Sequence, residues 1–564
     1  MPLQFSHYGM IKMGDKPLII QSDLSLLLDV HSPLAVDARN DLIAFAELIK
    51  SPEHVHTYMI TPLSLWNASS AGVDRDEVLR RLEKYSRFEI PQTVLFHISE
   101  ISMRFGAILL ESYEDNSLFY FVTFKNERIK REVLSRPQFG SMLTSYEDGY
   151  LLKIFSRGEF KLQLIKLGYP VDDRIPIVAS KKILASFKPV SSSGIHFVLR
   201  DYQKNAADAL LGDYSPGTGY GTIVLPCGSG KTVVGMEIIT RLKTKTLILT
   251  TNVSAVHQWI SELYDKLDLP MNSVGEYTGM RKELKDITVA TYQVLTYRKD
   301  KESDFIHMNV VKDQGWGLII FDEVHMLPAP VFKITAEMQS VYRVGLTATL
   351  IREDNREDEV FSLVGPKRFD VPWSELEKSG WIAEAECVEI RVQLPPHREI
   401  AYAIATKRDK YRIASENERK IEIVKELIAN HQHDFILVIG QYLTQLQTIA
   451  KEINAPLITG STPENKRDQL YQAFREGKQR ILVVSKVANF AIDLPDASVA
   501  IQVSGSFGSR QEEAQRLGRI LRPKKQNSYF YSIVTRFSSE EEFASHRQKF
   551  LSEQGYHYRL EVYS

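Results

Sequence analysis

Cysteine is almost missing from this chain: Cys227 and Cys387 are the only two in 564 residues. That excludes a disulfide framework and a zinc site built mainly from thiolates, and it fits a reducing cytoplasm. No run of about eighteen apolar residues occurs, so neither a membrane-spanning helix nor a membrane partner is expected. The opening stretch MPLQFSHYGMIKMGDKPLII is charged throughout and has no apolar core followed by small residues, so it does not read as a secretory signal. Proline, glycine and serine show no excess, and no short repeat or low-complexity tract is found, which argues against disorder. Charge of one sign is lacking too: Lys+Arg 70 against Asp+Glu 71 leaves −1. A grip on a polyanion would have to come from local positive surface.

What the sequence does contain is length and pattern. At 564 residues it exceeds one hydrophobic core, and ~100–200 residues per domain suggests several units. Residues 1–104 read as mostly helical, because SDLSLLLDV, DARNDLIAFAELIKS and DRDEVLRRLEKYS each place apolar residues at three-to-four spacing behind a Ser or Asp cap. The strand-turn-strand pattern of FGAILLESYEDNSLFYFVTF follows, so helices and then a hairpin predict a winged-helix-like or purely helical unit. Residues 105–190 predict a small α/β unit, and KPVSSSGIHF reads as a linker near residue 191. Beyond it, short β-branched runs alternate with helical stretches in two series, the signature of parallel sheets covered on both faces. The expected fold is therefore α/β, with two tandem parallel-sheet domains at 191–380 and 381–564.

The chemistry is concentrated in short motifs. LPCGSGKT follows a predicted strand and opens a predicted helix, the context of a phosphate-binding loop. In it Leu225, Pro226, Cys227, Gly228, Ser229 and Gly230 would form the phosphate loop, Gly228 and Gly230 letting backbone N–H groups approach the phosphate oxygens, Lys231 would reach the β/γ-phosphates, and the Thr232 hydroxyl would bind Mg²⁺. The strict pattern wants glycine where Leu225 stands, and Cys227 reads as a small buried thiol. In LIIFDEVH a buried strand ends at two adjacent carboxylates, a costly arrangement unless a cation neutralises them. Asp322 is accordingly the candidate metal ligand, and Glu323 the candidate base that activates the attacking water. QRLGRILRP places Arg516, Arg519 and Arg522 on one face of a predicted helix, where guanidiniums could stabilise charge on a transferring phosphoryl group.

Together with TAT at Thr347 to Thr349 and LRDYQ ending at Gln203, these motifs resemble superfamily 2 helicases and translocases. LTATLIRED, SKVANFAIDLPDASVAIQVSG and SRQEEAQRLGRILRP narrow the resemblance to the bacterial branch of the XPB DNA-repair helicases, over roughly residues 195–564. The resemblance implies two RecA-like motor domains, ATP and Mg²⁺ as cofactors, 3′→5′ polarity on DNA and a role in repair. It implies that Gln203 reads adenine, that Gln515 joins the nucleotide site, and that Arg519 and Arg522 reach the γ-phosphate. It assigns His325, Thr347, Thr349 and Asp493 to coupling, and Thr251, Thr291, Gln441 and Ser485 to the DNA track. Arg352, Glu353 and Asp354 match a charged triplet associated with strand opening, and residues 105–190 correspond to a damage-recognition unit. The basic thumb insertion of archaeal and eukaryotic relatives is reduced here to a short basic segment in AYAIATKRDKYRIASENERK.

Two alternatives accompany this expectation. One is a duplex translocase that does not separate strands. The other is an ATP-regulated DNA clamp that recruits a nuclease partner, against which stands the presence of Lys231, Asp322, Glu323, Arg519 and Arg522 together.

Overall fold

The structure is a computed structural model. It describes residues 16–563 except 52–53, 115–117, 154–155, 176–179, 195, 215–217, 227, 300–305, 313, 327–339, 349–363, 372, 382–384, 486–496, 506–527 and 554–557. The described residues form two compact units.

The first unit begins with a four-stranded antiparallel sheet in the order Leu18–Ile20, Ser25–Asp29, Val55–Met59, Glu47–Lys50. The sheet corrects the reading of SDLSLLLDV as a helix, while the helices Ala35–Leu42, Pro62–Ser70, Arg75–Tyr85 and Gln92–Ser102 make up most of the remaining segment. SDLSLLLDV forms a strand because Leu26 and Leu28, two apart, both enter the core, and three consecutive leucines satisfy a period of two as well as one of 3.6. DARNDLIAFAELIKS splits into the helix Ala35–Leu42 and the strand Glu47–Lys50, with Ala44, Phe45 and Ala46 buried at the bend. DRDEVLRRLEKYS does form a helix, Arg75–Tyr85, and the Asp74 carboxylate caps it by accepting the Glu77 N–H at 2.9 Å.

Next comes a five-stranded sheet in the order Leu143–Tyr146, Gly149–Lys153, Phe119–Phe124, Ile108–Ser112, Val171–Asp173. Its helices are Glu127–Leu134, behind an Asn126 cap, and Arg157–Lys166, in keeping with the α/β character expected for 105–190. The serine-rich stretch near residue 191, read as a linker, is instead tied down. Ser192 N–H donates to Asp265 O and Ser193 N–H to the Asp265 carboxylate, both at 2.9 Å, while Lys188 Nζ reaches Tyr264 O at 2.6 Å. Serine backbone without a bulky side chain can lie flush against a helix end, so a flexible composition here serves close contact.

The first motor sheet is seven-stranded and wholly parallel: Val274–Tyr277, Ile287–Thr291, Thr246–Thr250, Leu318–Asp322, Tyr342–Thr347, Tyr220–Val224, Lys367–Asp370. Its central strands are buried on both faces, which explains their near-continuous Val, Ile and Leu content. The N-terminal sheet is fastened at its edge: Lys367 Nζ donates to Ile49 O at 2.9 Å and Ser51 Oγ to Asp370 O at 2.8 Å.

The second unit is built on another seven-stranded parallel sheet, ordered Leu457–Ile458, Ile481–Ser485, Ile436–Gly440, Val499–Gln502, Ser528–Thr535, Ala385–Val392, Tyr558–Tyr563. The short basic segment in place of a thumb forms two helices, Pro396–Ile404 and Lys407–Ser415. Among the described residues no helix is long and apolar enough to cross a membrane.

Candidate nucleotide site

Parallel register aligns the carboxyl ends of neighbouring strands, and ligands of open α/β sheets bind at that edge. In the first motor sheet Val224 lies opposite Thr347, Thr250 opposite Thr291, and Asp322 opposite Leu346. The strand ending in Thr347 runs between the strand that feeds the glycine loop and the strand that ends in Asp322.

The loop itself follows Tyr220–Val224 and opens the helix Lys231–Leu242. Gly228 and Gly230 have φ of +79° and +87°, backbone that a side chain would strain, and this turns the loop tightly enough for N–H groups to face an anion. Ser229 is buried, and its Oγ donates to Pro226 O at 2.6 Å, which closes the turn. Leu225 and Pro226 are buried, so the position where the strict motif wants glycine is a core position here. Lys231 and Thr232 are partly exposed at the helix start. Cys227 lies outside the described residues.

Asp322 is held from two sides: Trp259 Nε1–H donates to Oδ2 at 2.9 Å and the Glu323 N–H to Oδ1 at 3.1 Å. Trp259 can reach because Gly235, on the helix that follows the loop, has no side chain; a Cβ there would stand 2.6 Å from the indole. Tyr292 donates its hydroxyl to Asp322 O at 2.8 Å, and its pKa is pushed well above the usual phenol value by burial and by the Asp322 and Glu323 carboxylates, so it acts only as a neutral donor. Glu323 adopts φ +49°, left-handed backbone that costs a non-glycine residue ~1–3 kcal/mol and gathers at functional sites. Its carboxylate approaches His325 Nδ1 at 3.5 Å, and the same nitrogen lies 2.5 Å from Thr347 Oγ1. Glu323, His325 and Thr347 thus form one connected group at the strand ends.

Gln203 is buried in the first turn of the helix Asp201–Leu211, and its Oε1 accepts the Arg200 N–H at 3.0 Å. Of the expected DNA contacts, Thr251 accepts from Asn252 Nδ2 at 3.2 Å beside the N-terminus of Val253–Lys266, and Thr291 is a buried cap for Tyr292–Leu295. Gln441 and Ser485 sit at adjacent strand ends of the second sheet, where Gly440 lies opposite Ser485. The buried Gln441 Oε1 and Ser485 Oγ have no hydrogen-bond partner among the described residues. Thr349, Arg352, Glu353, Asp354, Asp493, Gln515, Arg516, Arg519 and Arg522 lie outside the described residues.

Sequence reasoning missed Trp259, Tyr292 and Gly235. The first two close motif runs around Thr251 and Thr291, and their placement on short helices leaving the sheet edge was the available signal. No group of three or more metal-ligating side chains occurs among the described residues. That suits Mg²⁺, which is usually held by one or two protein oxygens together with phosphates and water. Asp322 and Thr232 supply donors of that kind.

A glycine phosphate loop, a strand ending in Asp-Glu-x-His and two tandem parallel sheets define a nucleotide-driven motor of the superfamily 2 type. The ERCC3/RAD25/XPB C-terminal helicase model matches residues 376–562 and the model of the type III restriction enzyme, res subunit, residues 196–352. The model called helicase conserved C-terminal domain matches residues 18–147, on the N-terminal antiparallel sheet and part of the five-stranded one. A DNA 3'-5' helicase XPB from Mycobacterium tuberculosis is 47% identical over 97% of this chain and 98% of its own, and one from Kineococcus radiotolerans 45% identical over 97% of each. The general transcription and DNA repair factor IIH helicase/translocase subunit XPB of Enterocytozoon bieneusi is 32% identical over 97% of this chain and 92% of its own. The chain belongs to the XPB helicase family.

Proposed function

We propose that this protein is an ATP-dependent 3′→5′ DNA helicase of repair, which turns hydrolysis at the glycine loop into movement along DNA and separation of its strands. The observation that carries the reading is the connected group Glu323, His325, Thr347, in which Thr347 ends the strand that runs between the phosphate-loop strand and the strand of Asp322. In it a carboxylate suited to activating water is linked, through a buried imidazole, to the strand end that leads out of the first motor sheet.

Lys231 and the loop N–H groups hold the triphosphate, and Gln203 contacts the base. Bound Mg²⁺ would supply Lewis-acid neutralisation of the charge that develops on the transferring phosphoryl group. Thr232 and Asp322 would hold it, with Trp259 fixing the Asp322 carboxylate in orientation. Glu323 accepts a proton from the attacking water, Gln515 joins the nucleotide site, and Arg519 and Arg522 reach the γ-phosphate. Thr251, Thr291, Gln441 and Ser485 contact the sugar-phosphate track, and the unpartnered Gln441 and Ser485 atoms support that assignment. Thr349 and Asp493 join the coupling path, and Arg352, Glu353 and Asp354 act where strands part.

We assign the four domains to 1–104, 105–190, 191–380 and 381–564, with the second engaging damaged or distorted DNA. An opened duplex is open to incision, so a nuclease is the partner class, and the cytoplasm is the compartment. ATP turnover measured with and without single-stranded DNA tests the reading: stimulation by DNA supports it, and turnover indifferent to DNA at every concentration overturns it.

A further inference from the structure

A strand at the edge of a sheet presents a row of unpaired N–H and C=O groups, ready to receive another strand. Among the described residues the sheets end in strands of two to four residues, with one exception. Tyr558–Tyr563 is six residues long and pairs with Ala385–Val392 on one side only. Of the edges in the first motor sheet, Val274–Tyr277 is buried throughout and Lys367–Asp370 is fastened to the N-terminal sheet.

The two faces of this strand differ. Arg559, Glu561 and Tyr563 lie in register with Val388, Ile390 and Val392, which belong to the core of the second unit. Tyr563 packs against that core. Arg559 and Glu561 stay half-exposed on the same face, where Arg559 Nη1 lies 2.6 Å from Glu386 and Nη2 lies 2.9 Å from Glu561. Leu560 and Val562 point to the other face. There Glu389, in register with Leu560, is 1% exposed and accepts from Gln548 of the helix Ser539–Glu553. Leu560 beside it is 58% exposed and Val562 is 59% exposed. A bare edge thus carries two apolar side chains in water, surface that a further strand would cover.

The charges on the strand select its partner. Two copies of one strand, paired antiparallel about a two-fold axis normal to the sheet, keep their faces matched only if the axis passes beside a residue, which then meets its own copy. An axis at Arg559 sets two guanidiniums against each other, and one at Glu561 sets two carboxylates against each other. An axis at Val562 engages only the end of the strand. At Leu560 the axis sets leucine against leucine and Arg559 against Glu561 twice, once on each side, the arrangement that cross-strand pairs favour. Leu560 and Val562 of both copies then fall on one face, as a continuous apolar strip.

We propose that Tyr558–Tyr563 is a self-docking edge, to which a second copy of this chain adds its own strand, antiparallel and centred on Leu560. The two seven-stranded sheets then run on as one.

The test is sedimentation velocity of the full chain over about a hundredfold range of protein concentration, with thermal melting followed alongside. The wild type is expected to pass from monomer to dimer as concentration rises. Leu560→Lys, which puts two ammonium groups on the axis, should weaken the dimer about tenfold or more. Arg559→Glu and Glu561→Arg should each do the same, and the two substitutions combined should restore the dimer, because opposite charges again face each other. A wild type that is monomeric throughout would overturn the proposal. So would a dimer that Leu560→Lys leaves unchanged, which marks a different face, or a folded double variant that stays monomeric. Arg559 also serves Glu386, so if a charge reversal lowers the melting temperature, Leu560→Lys decides alone by the same criterion.

Discussion

The indole N–H of Trp259 donates to the Asp322 carboxylate at 2.9 Å, fixing the acidic end of a buried strand from a helix that leaves the same sheet two strands' connection earlier in the chain. A carboxylate held this way keeps one orientation toward a cation. Trp259→Phe retains most of the packing and removes only the donor. Loss of an outer partner of a ligand commonly costs ~10–100-fold in metal affinity or activity. We expect the Mg²⁺ concentration for half-maximal ATP turnover to rise about tenfold, with nucleotide binding in EDTA unchanged. An unchanged Mg²⁺ requirement would leave the indole a packing role alone.

Gly235→Ala reaches the same site from the helix side. The new methyl would meet the Trp259 ring at 2.6 Å, and overpacking of this kind costs ~1–3 kcal/mol. Thermal melting should show that loss, and the Mg²⁺ requirement should move as it does for Trp259→Phe. Gly235→Ala together with Trp259→Phe should lose less than the two separate effects combined, because they act through one contact.

Glu323, the proposed water-activating residue, sits on strained backbone at φ +49°. Glu323→Ala and Glu323→Gly should both stop turnover, but the glycine variant should be the more stable by ~1 kcal/mol, since only glycine accepts this conformation freely. Equal denaturant midpoints for the two variants would show that the backbone relaxes at no cost.

His325 Nδ1 lies 2.5 Å from Thr347 Oγ1, the contact proposed to couple hydrolysis to movement. Thr347→Val keeps shape and removes the hydroxyl. We expect ATP turnover to stay within about fivefold of the wild type, a barrier change of under ~1 kcal/mol, while strand separation per ATP consumed drops sharply. Parallel loss of both, measured in one reaction, would argue that Thr347 serves catalysis directly.

The N-terminal sheet carries a pH response of its own. Burial, with Arg39 nearby, depresses the His56 pKa from 6.5 to about 4. The unfolded chain therefore takes up the proton first, so stability is full above pH 6.5 and declines as pH falls from 6.5 toward 4. His56→Gln should flatten the melting temperature of the full chain across that window, as followed by calorimetry. A slope that survives the substitution would place the titration elsewhere.

Much of the motor was legible in the sequence because a parallel sheet buried on both faces demands apolar runs, and GTIVLP, KTLILT, ITVAT and GLIIFDE are such runs. Edge strands escape that demand. Lys367–Asp370 is KRFD, and Tyr558–Tyr563 alternates charged and apolar residues, so neither stands out before its partners are known. The phosphate loop and Asp-Glu pair were legible because their chemistry is local. Trp259 was not, since an indole gains its place at the site only from a partner 63 residues away, Asp322. The start of the chain misled because SLLLD satisfies two periodicities, and only pairing with Leu18–Ile20 and Val55–Met59 decides between them.

The most direct test of the account is strand separation on a forked duplex with a 3′ single-stranded tail, comparing the wild type with Glu323→Gln at saturating ATP and Mg²⁺. The account predicts that the wild type separates the strands, and that Glu323→Gln binds ATP and DNA yet leaves the fork intact, with turnover reduced ~10²-fold or more. Strand separation by Glu323→Gln at the wild-type rate would contradict it.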